Sequence, residues 1–415
     1  MEDLSIGDLF LQYGRDNVCD YALSEGQLDI LQWARDNDCP LNSDDIIDNN
    51  YLHILQWVQA NNNRLTESLI FTCMFNAAVK GHLDVLKWMH ENGYSLLQII
   101  FETAAENGYI NILQWGYENK IKWPWNAKIC ERVAFGGNLN IFKWVREIGC
   151  PWDHWTCSAA ALNGHFDLLK WAHGNGCPWN SRTTRTAAEK GFFEILKYCH
   201  ENKCPWDYWT CAGAAKSGNF DMLKYCRVNG CPWNEETCKT AAEYGHFDIF
   251  QWAHENGCPW DEWTCYEAAC GGYLNILIYA RKRGCPWHDD ICAGVAHGGH
   301  LHVLKWAVEN GCPWDEFSAC KVAAHQGNFH IVQWILQRKI ATLTQEKNCL
   351  DEINDLMHYF FKDNQLQYIN SCKWLQEKYN FKYDNYIQNV LDHLDSILLN
   401  VLSIPDLVDL INLYI

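Results

Sequence analysis

The chain has 415 residues, a formal net charge of −18, 48% hydrophobic residues, 22 cysteines and 22 tryptophans. That acidic balance argues against a nucleic-acid backbone or an anionic membrane surface, since both select Lys and Arg, so neither nucleic acid nor membrane is expected as a partner. No apolar run reaches transmembrane length, and Met1-Glu2-Asp3-Leu4 lacks the basic and apolar regions of a secretory signal, so the cysteines are expected to sit reduced in cytoplasm or nucleus.

In chain order, one aromatic position returns as Trp33, Trp57, Trp88, Trp115, Trp144, Trp171, Tyr198, Tyr225, Trp252, Tyr279, Trp306 and Trp334. This spacing predicts about twelve stacked repeats over residues 1–340. Up to about residue 125 the intervals are irregular, as expected of insertions in turns. From 126 to 340 the tripeptide Cys-Pro-Trp begins at Cys150, Cys177, Cys204, Cys231, Cys258, Cys285 and Cys312, each 27 residues after the last. A unit this small cannot bury its own apolar face, so its neighbours bury it in a solenoid.

One complete unit runs from Asp153 to Trp179. Asp153 is an N-cap residue for a short helix of small side chains, Thr156 to Ala161, which Asn163-Gly164 ends. A second helix, His165 to His173, places Phe166, Leu168, Leu169 and Ala172 on one apolar stripe and turns Lys170 and His173 outward. Asn175-Gly176 stops it, and Cys177-Pro178-Trp179 turns the chain into the next unit. The fold class expected is all-α: a helical solenoid with a 27-residue period. Residues 341–415 lose the period and read as a helical C-terminal cap.

The segment Gly164-His165-Phe166-Asp167-Leu168-Leu169-Lys170-Trp171-Ala172 resembles the second helix of ankyrin repeats, as do Gly81–Trp88 and Gly245–Trp252. The alanine pairs Ala160-Ala161, Ala187-Ala188, Ala214-Ala215 and Ala241-Ala242 are similar to those of the family's first helix. The resemblance covers roughly residues 5–340 and has its parallel in shortened, Trp- and Cys-rich arrays abundant in giant DNA viruses and some protists. Two features depart from the family: units there run about 33 residues with a protruding finger, and the Thr-Pro-Leu-His tetrapeptide is missing. The resemblance implies protein-protein binding without catalysis, and a monomer is expected.

No catalytic, cofactor or metal-ligating residue is expected. The cysteines read as small apolar packing residues, because zinc sites pair ligands two to four residues apart whereas the helix and loop cysteines stand seven apart. A metal- or redox-responsive protein is the alternative of another class. The Trp of each Cys-Pro-Trp is expected to pack on the next unit. Positions that vary between units are the binding candidates: Trp155, Arg182, Trp209, Glu236, Trp263, Asp290 and Phe317 alternate aromatic with charged. Duplication of a two-unit block, or alternating packing environments, would produce the same pattern. Lastly, Ile404-Pro405-Asp406-Leu407-Val408-Asp409-Leu410-Ile411 resembles the start of an F-box, which would make the chain a substrate adaptor for a ubiquitin ligase; a cap helix opening on Pro405 is the plainer reading.

Overall fold

All but one of the regular repeats start where a short polar side chain ends the Cys-Pro-Trp turn and accepts an orphan N–H of the first turn of a helix. Asp153 accepts from Trp155 N at 2.9 Å, Asn180 from Arg182 N at 3.0 Å and Asp315 from Phe317 N at 3.0 Å. Asp261 and Thr264 close a reciprocal capping box. The computed structural model describes residues 67–121 and 125–343, with Leu52 and Gln56 as isolated positions. The repeats expected at Trp33 and Trp57, the cap from residue 344 onward and the segment Ile404–Ile411 lie outside the described residues.

Among the described residues all regular structure is helical. The helices pair as α1 (Glu67–Lys80) with α2 (Leu83–Glu91), α3 (Gln98–Glu106) with α4 (Ile110–Glu118), and α5 (Ala127–Gly136) with α6 (Leu139–Glu147). Then come α7 (His154–Leu162) with α8 (Phe166–Gly174), α9 (Ser181–Glu189) with α10 (Phe193–Glu201), and α11 (Tyr208–Lys216) followed by α12 (Phe220–Val228). The series ends with α13 (Glu235–Glu243) and α14 (Phe247–Glu255), α15 (Glu262–Cys270) and α16 (Leu274–Lys282), α17 (Ile291–Gly298) and α18 (Leu301–Glu309), and α19 (Glu316–His325) and α20 (Phe329–Leu343). The chain divides into two compact units, Met1–Thr210 and Cys211–Ile415. Each is a stack of helical hairpins, and the fold class is that of a helical-repeat solenoid.

In the first unit, α3, α5, α7 and α9 pack in succession along their first-helix faces, more intimately than the second helices do. Small side chains allow this. Cys157, Ala160, Ala161, Ala187 and Ala188 are fully buried, and Ser158 Oγ meets Thr183 Oγ1 at 3.3 Å across the helix boundary. The second unit repeats the arrangement through α13, α15, α17 and α19, with Cys238, Ala241, Ala242, Cys265, Ala268 and Ala269 buried. The second helices contribute the larger apolar residues, such as Leu168 and Leu169, or Ile249 and Phe250.

Two glycine positions per hairpin differ in their physics. Gly164, after the first helix, has φ +76°, and a Cβ there would stand 2.8 Å from the Phe192 ring of the next repeat. Gly176, after the second helix, has φ +86° with nothing near. Only backbone conformation constrains that second site, so Lys203 occupies it at φ +63°. One repeat starts late. Where others carry Asp or Asn, His288 accepts the Asp290 N–H on Nδ1 at 3.1 Å, and α17 begins only at Ile291 with Asp290 as its N-cap.

Candidate binding surface

The Cys-Pro-Trp motif builds the spine between second helices, and its tryptophans are half-buried. Every one of these rings but Trp314 is clamped on one face by a cation or imidazole from the preceding second helix. Arg146 lies over Trp152 at 3.6 Å, Arg227 over Trp233 at 4.0 Å and Arg281 over Trp287 at 4.2 Å. His173 stacks on Trp179 with centroids 3.6 Å apart, and His254 stacks on Trp260 at 3.6 Å. The same rings meet the aromatic of the following second helix, as Trp152 meets Trp171 at 6.3 Å and Trp233 meets Trp252 at 6.0 Å. The expectation that these tryptophans join neighbouring repeats is met. His173, expected to turn outward, instead lies flat on Trp179, and burial lowers its pKa, as it does for His254.

The cysteines of the motif hold the loops in register. Cys150 Sγ donates to Asn126 O at 3.2 Å, Cys204 to Asn180 O at 3.4 Å, Cys258 to Asn234 O at 3.2 Å and Cys285 to Asp261 O at 3.2 Å. Every described cysteine is a thiol, and all but Cys270 are buried. In one place they converge: the Sγ atoms of Cys211, Cys226 and Cys231 all lie within 4.8 Å of one another. There Cys211 Sγ donates to the Cys231 carbonyl at 4.0 Å, and the neighbouring sulfurs hold the Cys211 thiol below its ordinary pKa while Cys226 and Cys231 are pushed up.

Beside this half-buried spine, the variable positions sit at the first turns of the first helices. In the first unit, Trp155 is 40% exposed, with the Arg182 guanidinium 4.4 Å above its ring. Arg185, one turn further along α9, covers Trp209 at 4.5 Å and holds Glu189 at 2.6 Å. Trp155 and Trp209 are thus each covered by a guanidinium from α9, with Arg182 and Arg185 side by side between the two rings, flanked by exposed Tyr208. In the second unit, Trp263 is 44% exposed and meets His288 at 4.1 Å and Tyr266 at 5.4 Å. Glu236 is half-buried and bound to Lys239 at 2.8 Å. Phe317 is 42% exposed. Asp290 is exposed but serves as the N-cap of α17, because the late start of that helix displaces it from the register its six counterparts keep.

Sequence reading missed Arg185, Tyr208, Lys239, Tyr266 and His288. Three of them were within reach: Arg185, Lys239 and Tyr266 follow Arg182, Glu236 and Trp263 by three residues, the spacing that brings side chains together on a helix.

No family model matches the chain, and no curated protein does. Among solved structures it is similar to the pentatricopeptide repeat protein PPR10 in complex with an 18-nt psaJ RNA element, and to a cysteine-to-serine variant of that protein with the same RNA. In both cases the TM-score is 0.42 and the identity 11%, covering 92% of this chain and 62% of the other. The chain therefore spans less than two thirds of the length of those proteins. With a helical-repeat protein seen in complex with RNA, the exclusion of nucleic acid read from net charge is withdrawn. Net charge sums over the whole chain, whereas a partner meets a local surface. Here Arg182 and Arg185 stand beside Trp155 and Trp209 despite the overall charge of −18.

Proposed function

We propose that this chain is a non-catalytic binding scaffold of shortened ankyrin-type repeats, acting inside the cell, that grips a partner protein at the first turns of its first helices. The observation that carries this reading is the contrast between two sets of tryptophans. Those of the Cys-Pro-Trp motif are half-buried between second helices, most of them under a cation or an imidazole, whereas Trp155 and Trp263, two copies of another register, are 40% and 44% exposed. Open rings beside guanidinium groups are the residue types that dominate binding energy at protein interfaces. Among the described residues no helix is long and apolar enough to cross a membrane.

The test is affinity capture with the full chain and with a Trp155→Ala/Trp209→Ala double variant, followed by mass spectrometry and nucleic-acid staining of the eluate. The reading expects a stoichiometric protein that the double variant fails to retain. Equal capture by both chains would refute the surface, and recovery of RNA in place of protein would refute the partner class.

A further inference from the structure

The cysteines recur in three series: on the first helix (Cys130, Cys157, Cys211, Cys238, Cys265, Cys292), in the Cys-Pro-Trp loop, and less often on the second helix (Cys199, Cys226). Elsewhere the second-helix position holds Val145, Ala172, Ala253, Ala280 or Ala307. The repeat of Cys199 carries Thr184 on its first helix. Of the seven regular repeats, only the one containing Cys211, Cys226 and Cys231 has all three.

We propose that Cys211, Cys226 and Cys231 form a trigonal thiolate site for one Cu(I) ion. Their Sγ atoms lie within 4.8 Å of one another, and all three residues are fully buried. A trigonal ion with metal–sulfur bonds of about 2.3 Å would hold its sulfurs about 4 Å apart, within the 4.8 Å limit these three already meet. Three soft sulfurs favour Cu(I) over hard cations. Zinc is the poorer fit, because a structural zinc site takes four ligands and a catalytic one keeps an open position for water; this group has three members, enclosed on all sides. One of the two excess negative charges of three thiolates around a monovalent ion is offset by Arg227, whose guanidinium donates to the Cys231 carbonyl and stacks at 4.0 Å over Trp233. Spacing concealed the site. The ligands lie 15 and 5 residues apart in sequence, and only the folding of α11 against α12 and the following loop joins them.

The test uses the reduced full chain, kept without oxygen and given one equivalent of Cu(I) in competition with a colorimetric Cu(I) chelator. Cys226→Ala installs the residue that most other repeats carry, so its circular dichroism and melting temperature should match the wild type. The wild type should hold the ion with three sulfurs by X-ray absorption. The variant should bind more weakly by more than the roughly 100-fold that losing an outer-shell partner can cost a metal site. A gain-of-site variant closes the argument: Ala253→Cys beside Cys238 and Cys258 should create a second equivalent. Two-sulfur coordination in the wild type, or equal affinity in Cys226→Ala, would overturn the proposal.

Discussion

Gly164 and Gly176 both lie in the left-handed region, yet they bear different loads. Replacing Gly176 by Ala meets only the backbone penalty of about 1 kcal/mol, whereas Gly164→Ala adds a collision with the Phe192 ring and should cost clearly more. Urea unfolding of the two variants checks the order. Lys203→Gly should raise stability by about 1 kcal/mol in the same assay, because it relieves a left-handed non-glycine residue at a site nothing crowds. The buried threonines separate in the same way. Thr237 Oγ1 is buried without a hydrogen-bond partner, while Thr264 Oγ1 completes the Asp261 capping box. Thr237→Val is therefore expected to be neutral or stabilising, and Thr264→Val to cost about 1 kcal/mol, read from unfolding midpoints.

At the scale of the element, the second helices communicate through the clamped tryptophans. Trp179 lies between His173 and Tyr198, so Trp179→Ala removes two ring contacts and should cost about 3 kcal/mol. The clamp is also pH-sensitive where it uses histidine. His173 and His254 have folded pKa values lowered by burial, so the unfolded chain takes up their protons first as the pH falls. Stability from these two groups is fully present above the unfolded value near 6.5 and is lost as the pH drops through their folded values. Thermal melts stepped downward from pH 7 should show this decline, and His173→Gln/His254→Gln should flatten it.

For the whole molecule, the decisive comparison is between stability and binding. Trp155→Ala/Trp209→Ala should lower the melting temperature by only a few degrees, because it removes one exposed and one half-buried ring without touching the small-residue faces that hold the first helices together. Binding should fall sharply. Differential scanning calorimetry of the variant, paired with the capture assay, separates the two. A large loss of melting temperature with intact binding would assign these rings to packing and would leave the Arg182 and Arg185 contacts as their whole purpose.

The 27-residue period, the two helices per unit and the buried alanine and cysteine faces were all legible in the sequence, because each follows from local capping, glycine stops and helical periodicity. Asp153 and Gly164 behave as their residue types dictate wherever they stand. The partners of side chains were not legible in the same way. His173 on Trp179, Arg182 on Trp155 and the meeting of Cys211, Cys226 and Cys231 arise only when helices and loops distant in sequence come together. Net charge misled for a related reason: it is summed over every residue, while recognition is local. Asp290 shows the limit most plainly. Its spacing matched the binding series, but His288 in place of a capping Asp or Asn delayed the helix and made it a cap. Periodicity places a residue along the chain, and tertiary contact decides what it touches.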